Sequence, residues 1–248
     1  VQSRINTGKK VASAKDNGAI WAIAQSQRAD IGSLNSVRDS LQRGQSAVDV
    51  AIAAGETVSD LLLQMKEKAL AASDSSIDAA SRAALNTDFT SLRDQIAKTV
   101  SNAEFNGTNL LRTGATAYTA LANANASSRI TVGAEIMALG GGIVTVAAAG
   151  AIDTSANATA MIATVNTSIA NVSAALARLG TGSKALGTHL NFVKKLQDTL
   201  EVGVGNLVDA DLAKESARLQ ALQTKQQLGI QALSIANSSS STLLGLFR

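Results

Sequence analysis

Apolar and small residues alternate at steps of three and four positions over residues 34–69 of the chain. This seven-residue period keeps one stripe on the same side of an α-helix and is typical of a helix that packs along its length against another. The chain contains no proline, which would interrupt such a helix. Within the stripe, Gly44 and Gly55 should let a neighbouring segment approach closely. We therefore predict one helix over about 16–71, with a buried rod seam that contains Leu34, Leu41, Val48 and Leu62.

The middle of the chain differs in character from this first helix. Three-four stepping resumes over 85–96 and predicts a second, shorter helix that ends near Glu104. Over 113–155 alanine, glycine, serine and threonine dominate, and short strand-like runs occur at 129–132 and 143–146. This composition predicts a small, separate, hairpin-rich region.

Two further helices are predicted after this region. The first of them should pack back against the earlier helices, and we expect Gly203 and Gly205 to end it. Its seam residues include Ile162, Ile169, Leu176 and Leu190. The last helix, over about 209–238, and the residues after it carry apolar side chains that lack an evident partner: Leu212, Leu219, Leu222, Leu233, Leu243, Leu244, Leu246 and Phe247.

These patterns together predict a mainly α fold. We expect an elongated rod of long antiparallel helices in a coiled-coil bundle, with a small β-containing central appendage. The predicted division of the chain is a first rod part at 1–112, the outer region at 113–155, a second rod part at 156–202 and a C-terminal helix at 203–248.

Composition argues against several classes of function. Zero cysteines exclude thiol catalysis and a thiolate metal site, and 2% aromatic content is too little for a typical ligand pocket. The net charge of +3 comes from scattered basic residues, so we predict no nucleic-acid binding. No apolar run reaches the length of about 18 residues that a membrane span needs. We predict no catalytic site, no cofactor and no metal.

Few side chains are candidates for chemistry, and each has a simpler interpretation. His189 is the single histidine and lies in a helical seam, so a structural role is favoured. Asp209 and Asp211 stand at a helix start, where capping is the better interpretation. The stretch 180–184 (GTGSK) lacks the glycine-to-lysine spacing of a phosphate loop. Trp21 is expected to be a packing anchor.

Three motifs, in order, carry a family resemblance. The stretch at 4–19 reads RINTGKKVASAKDNGA, the stretch at 104–111 reads EFNGTNLL, and the stretch at 206–215 reads NLVDADLAKE. They resemble the N-terminal signature, the turn motif and the C-terminal signature of flagellins, and 220–246 follows the family's terminal assembly helix. The wording KDNGAIW and the ending LLGLFR are similar to alphaproteobacterial flagellins.

The resemblance implies a structural subunit of the bacterial flagellar filament that polymerises for motility and is not an enzyme. It also implies partners: further copies of itself, the flagellar export apparatus with a chaperone, and the filament cap and junction proteins. Export to the cell surface would then need no cleaved signal peptide. Because the chain opens at Val1, we expect an N-terminal stretch to be missing. The C-terminal apolar residues named above, from Leu212 to Phe247, are the expected assembly residues.

Two alternatives from other classes stay open on the sequence alone. One is an enzyme in the outer region at 113–155, which is poorly supported because Arg129, Glu135 and Asp153 are the only charged residues there. A cell-surface flagellin homologue could bind an acidic polysaccharide or act as an adhesin, and the positive charge balance is the motivation for it. Salt-dependent binding to an acidic polymer would distinguish it from a filament subunit.

Overall fold

The structure, a computed structural model, describes the backbone of residues 1–246 and the side chains of residues 1–237. The prediction of a mainly α fold with long helices and a small β region is confirmed. The elements follow in the order α1 (Gln2–Thr7), α2 (Gly18–Ser73), α3 (Ala79–Asn102), β1 (Tyr118–Leu121), β2 (Arg129–Val132), α4 (Ser155–Val208) and α5 (Leu212–Leu246).

The chain forms two compact units. The terminal unit contains Val1–Gly32 and the chain from Leu196 onward, and the central unit is Ser33–Lys195. Helices α2 and α4 each contribute residues to both units. The four-part division of the chain proposed from sequence stays a prediction.

Short polar side chains begin three of the helices. Asn17 accepts a hydrogen bond from the Ile20 amide before α2 at 3.1 Å, and Asp78 accepts one from the Ser81 amide before α3 at 2.6 Å. Asp211 does the same for Lys214 before α5 at 3.0 Å. Each side chain satisfies an amide that has no partner within its own helix, which explains why the helices begin where they do.

The β region differs in part from the prediction. Strand β2 coincides with the predicted run 129–132, but its antiparallel partner is β1, with Tyr118 opposite Val132. The run 143–146 is not a strand, so that prediction is wrong. Val144 and Val146 are instead fully buried in an irregular segment, and the Thr145 amide donates to Ser168 Oγ of α4 at 2.9 Å. A short apolar run can be buried in this way without pairing as a strand.

The predicted end of the third long helix is also wrong. Helix α4 continues through Gly203 and Gly205 as far as Val208. Glycine weakens a helix interior by about 1 kcal/mol, which does not suffice to end a helix whose last carbonyl groups find partners. Those partners come from the N-terminal segment of the chain, since the amides of Lys10 and Val11 both donate to Val208 O.

In the central unit, α2 and α4 run antiparallel. Ser183 Oγ of α4 donates to Asp49 Oδ1 of α2 at 3.0 Å, and Leu176 lies against Gly55. Residue numbers rise along one helix as they fall along the other, which is the arrangement of two antiparallel neighbours. The glycine at position 55 lets α4 approach, as the sequence indicated.

The terminal unit has a small core of its own. Buried Val11, Ala24, Val204 and Val208 pack together, and the half-buried side chains of Ile20, Trp21, Ile31 and Leu207 pack against them. Trp21 is therefore a packing residue, as expected from the sequence. This core joins the N-terminal segment to the end of α4.

Helix α4 is the one described helix that is long and apolar enough to cross a membrane. That test uses length and composition alone, and the core helix of a packed bundle also satisfies it. One side of α4 is buried within the central unit, where Val165, Val172 and Leu186 are fully buried. These contacts account for its apolar composition without a membrane.

Candidate assembly surface

Helix α5 exposes large apolar side chains along its described length. Leu233 and Ile235 are 67% and 68% exposed, and the described side chains of α5, up to residue 237, bury little apolar surface against the rest of the chain. Of the residues predicted for assembly, Leu212, Leu222 and Leu233 are exposed and Leu219 is half-buried. Leu243, Leu244, Leu246 and Phe247 lie outside the described side chains.

Three exposed apolar residues of α5 were not among those predicted: Leu228, Ile230 and Ile235. With 3.6 residues per turn, Leu228 and Ile235 lie seven positions apart on one side of α5. Leu222 and Leu233 lie on the opposite side. The sequence prediction assumed that the apolar residues of this helix form one stripe. It therefore left out the apolar residues on the other side, although they are present in the sequence. A helix that is apolar on opposite sides is typical of a fully surrounded helix.

The predicted rod seam divides into two groups. Leu34, Leu41, Val48 and Leu62 of α2 are buried, and so is Leu190 of α4. Ile162, Ile169 and Leu176 of α4 are half-buried. In the same part of α4, the buried stripe consists of large and small side chains together: Val165, Ser168, Val172, Ala175, Leu179 and Leu186.

The small residues are buried because the non-helical part of the central unit covers that side of α4. Ser168 Oγ lies 2.9 Å from Thr145 Oγ1, and a Cβ atom at Gly182 would lie 2.7 Å from Val132 Cγ1. Sequence periodicity weighted by hydrophobic size passes over serine and alanine, so Ser168 and Ala175 were not part of the predicted seam. Leu176, which was part of it, contacts α2 at Gly55.

A two-pronged ion pair holds the covering segment to α4. Arg178 Nε donates to Glu135 Oε1 at 2.7 Å, and Arg178 Nη2 donates to Glu135 Oε2 at 2.6 Å. Glu135 is buried whereas the arginine side chain is more than half exposed. The contact raises the pKa of Arg178 through the hydrogen bond and the charge of Glu135. Each oxygen of the buried carboxylate thus has a charged hydrogen-bond donor.

Both sides of the short connection between α4 and α5 are held by the N-terminal segment. The amides of Lys10 and Val11 donate to Val208 O at 2.7 and 3.2 Å, and Lys10 Nζ donates to Asn206 O at 2.9 Å. Beyond the connection, the Ala210 amide donates to Gly8 O at 2.9 Å. Asp209, predicted as a cap, pairs with Lys9 in a short antiparallel bridge.

A charged pair links α1 to α5. Arg4 Nη1 donates to Glu215 Oε1 at 3.1 Å, and Glu215 is only 8% exposed. Its other oxygen, Oε2, is buried with no hydrogen-bond partner among the described residues. Burying a carboxylate with few hydrogen bonds costs folding free energy. Loss of the Arg4 contact would raise that cost further, because Glu215 would lose this donor.

The residues considered above for catalysis or ligand binding make packing or hydrogen-bond contacts within the fold. His189 Nε2 lies 2.7 Å from Ala122 O, and its ring packs on Phe192 with centroids 5.5 Å apart. The stretch 180–184 lies inside α4, where it has no loop that could hold a phosphate. Among the described residues, no three His, Cys, Asp or Glu side chains group as metal ligands. The surroundings of His189 and of 180–184 therefore favour a role in packing within the protein.

Two family models match the chain. One describes the bacterial flagellin N-terminal helical region and matches residues 1–116, and the other describes the bacterial flagellin C-terminal helical region and matches residues 162–247. Together they span more than half of the chain and leave out much of the non-helical region. This chain belongs to the bacterial flagellin family. The resemblance stated from the sequence motifs is confirmed.

Relatives with similar sequences are also flagellins. Flagellin FljM of Caulobacter vibrioides is 60% identical over 248 residues, and the alignment covers all of this chain and 90% of that protein. A flagellin of Brucella melitensis is 38% identical over 256 residues, again with all of this chain and 90% of the relative covered. The similarity is therefore to alphaproteobacterial flagellins.

Solved structures agree at the level of fold. A Bacillus cereus flagellin gives a TM-score of 0.55 at 22% identity, over 62% of this chain and 88% of that one. A putative flagellar hook-associated protein from Vibrio parahaemolyticus gives 0.60 at 14% identity, over 78% of this chain and all of that one. The flagellin described here is a structural subunit of the bacterial flagellar filament, an extracellular polymer into which the family self-assembles.

Proposed function

We propose that this flagellin polymerises through α5, whereas the central unit keeps its own core before and after assembly. The observation that carries this division is the contrast in burial. The central unit fully buries large side chains such as Phe89, Leu41 and Met65, whereas α5 leaves Leu222, Leu228 and Ile230 exposed. Exposed apolar residues along most of a helix are typical of a surface that another molecule covers.

The arrangement on α5 also suggests how many neighbours it needs. Apolar side chains lie on two opposite sides of the helix, at Leu222 and Leu233 on one and at Leu228 and Ile235 on the other. One partner helix can cover only one side of another. Burial of both sides therefore favours a polymer, in which each α5 contacts more than one segment, over a closed pair.

The experiment is to express single variants as the only flagellin of a motile cell. We expect Leu222→Glu and Ile235→Glu each to abolish filaments in electron micrographs, because either change places a charge in a surface that becomes buried. Gln223→Glu is the matched control, since it adds the same charge to an exposed polar position on α5. Normal filament yield from both leucine and isoleucine variants would overturn the proposal.

We infer further partners from family membership. The subunit would leave the cell through the flagellar export apparatus, aided by a chaperone, with no cleaved signal peptide, and would meet cap and junction proteins in the filament. N-terminal sequencing of protein sheared from filaments tests the export step. A mature terminus that lies well inside the encoded sequence would contradict it.

We also infer that the subunit is not an enzyme. The family is structural, and the single histidine is held against Ala122 O. An activity of purified filaments that His189→Ala abolished would contradict this inference. The alternative of a polysaccharide receptor or adhesin gains no support from the relatives, which are flagellins.

A further inference from the structure

We propose that the segment from Gly8 to Val11, which we call the cap segment, ends α4 and fixes the direction in which α5 leaves it. Lys10 and Gly8 are its positioning residues. The proposal rests on the proposed role of α5 in assembly, and it adds a requirement: α5 must be presented at one orientation, set by a segment almost two hundred positions away in sequence.

The first support is the way in which α4 ends. The last carbonyl groups of an α-helix have no partner within the helix. Here Val208 O accepts from two amides, those of Lys10 and Val11, and Asn206 O accepts from the ammonium group of Lys10. A lysine at this end also interacts favourably with the negative end of the helix dipole. Distant residues thus supply what a local glycine cap supplies in many helices.

The second support is that the cap segment holds both sides of the α4–α5 connection. Val208 O lies before the connection and the Ala210 amide lies after it, and both bond to the cap segment. Asp209 between them pairs with Lys9. Because only 209–211 separate the two helices, fixing both flanks leaves the connection little freedom to swing.

The third support is the backbone of Gly8. Its φ of +66° lies in the left-handed region, where the chain turns from α1 into the cap segment. A Cβ atom at Gly8 would meet nothing within 4 Å. Substitution there would therefore act through backbone strain alone, without a collision. Gly8 offers a clean way to weaken the cap segment.

The contact between Arg4 and Glu215 extends the same connection. It joins α1, which precedes the cap segment, to the first turns of α5. Because Glu215 is buried, removing Arg4 would leave a buried carboxylate without this donor, which costs more than the loss of an exposed pair. The N-terminal segment therefore contacts α4 and α5 at three places: the end of α4, the connection and the start of α5.

The experiment compares Gly8→Ala with Gly18→Ala in the complete protein. Both sites have open space for a Cβ atom, but Gly18 lies in α2 and has no left-handed backbone. We expect Gly8→Ala to speed hydrogen exchange at the Lys10, Val11 and Ala210 amides of unassembled protein about tenfold. Filament yield should fall, and melting of the central unit should not change. Gly18→Ala should alter none of these.

A second pair of variants keeps the test decisive if Gly8→Ala does not fold. Lys10→Met keeps the length of the side chain and removes its bond to Asn206 O, whereas Lys9→Met removes a charge whose ammonium group makes no hydrogen bond among the described residues. We expect faster exchange at Ala210 and fewer filaments from Lys10→Met alone.

The two levels of the proposal can fail separately. Unchanged exchange at the three amides in Gly8→Ala and Lys10→Met would overturn the cap segment. Faster exchange with normal filament yield would overturn its positioning role and leave assembly through α5 intact. Normal filaments from Leu222→Glu and Ile235→Glu would instead overturn assembly through α5.

Discussion

Leu176 of α4 packs directly on Gly55 of α2: a Cβ atom added at Gly55 would lie 2.8 Å from Leu176 Cδ2 and 3.2 Å from Met137 Cε. We expect Gly55→Ala to lower the free energy of unfolding by about 1 kcal/mol. Overpacking costs about 1–3 kcal/mol, and the better helix propensity of alanine returns about 1 kcal/mol. Chemical denaturation of the unassembled protein measures the change.

The control for this substitution is Gly180→Ala, also in a helix of the central unit. A Cβ atom at Gly180 would meet nothing within 4 Å. Here the propensity gain acts alone, so stability should rise by roughly 0.5–1 kcal/mol. Equal effects of the two substitutions would show that Leu176 moves aside at no cost.

A pair of aspartate substitutions separates the core of the central unit from α5. Val172→Asp would place a carboxylate at a fully buried position and should cost several kcal/mol, with a clear fall in the melting temperature of unassembled protein. Leu222→Asp changes an exposed position and should alter stability by no more than about 0.5 kcal/mol. Early melting of the Leu222 variant would contradict the division of roles between the two units.

The cap of α3 gives a prediction about acid. Hydrogen bonds from Ser81 to the Asp78 carboxylate lower the pKa of that group in the folded protein. Its stabilising effect is therefore complete above the ordinary aspartate pKa of about 3.9 and is lost as the pH falls through the lower folded-state pKa. Asp78→Ala should melt earlier than the parent at pH 7, and the difference should shrink below about pH 4.

The comparison that checks this assignment is Asp78→Asn. Asparagine keeps an acceptor for the Ser81 amide but has no charge to lose. Its melting difference from Asp78→Ala should stay constant with pH. A difference between Asp78→Ala and the parent that did not shrink in acid would place the stabilising effect elsewhere.

The ion pair between Arg178 and Glu135 predicts an order of stability among variants. Arg178→Lys keeps the charge but loses the two-pronged contact, so it should melt earlier than the parent. Arg178→Ala leaves the buried Glu135 carboxylate without this donor and should melt earlier still. A double-mutant cycle with Glu135→Gln measures the coupling, and additive effects would contradict a direct contribution of the pair.

Much of the fold follows from short-range features of the sequence. The seven-residue period and the lack of proline predicted long helices, and α2 extends over Gly18–Ser73 against a prediction of 16–71. Such a period is set by residues within one or two turns of each other, so it can be recognised without any knowledge of distant contacts. The motifs at 4–19 and 206–215 likewise identified the family from short stretches of amino-acid sequence.

Tertiary structure decided what depended on distant residues. Whether 143–146 paired as a strand depended on its contact with α4, where the Thr145 amide donates to Ser168 Oγ. The burial of Ser168 likewise depended on Thr145, whose hydroxyl lies 2.9 Å from Ser168 Oγ. Helix α4 passed Gly203 because Lys10 and Val11 supplied donors to its last carbonyl groups. A local pattern gives the propensity of each stretch, but burial of small residues and satisfaction of helix ends are properties of contacts that only the folded chain makes.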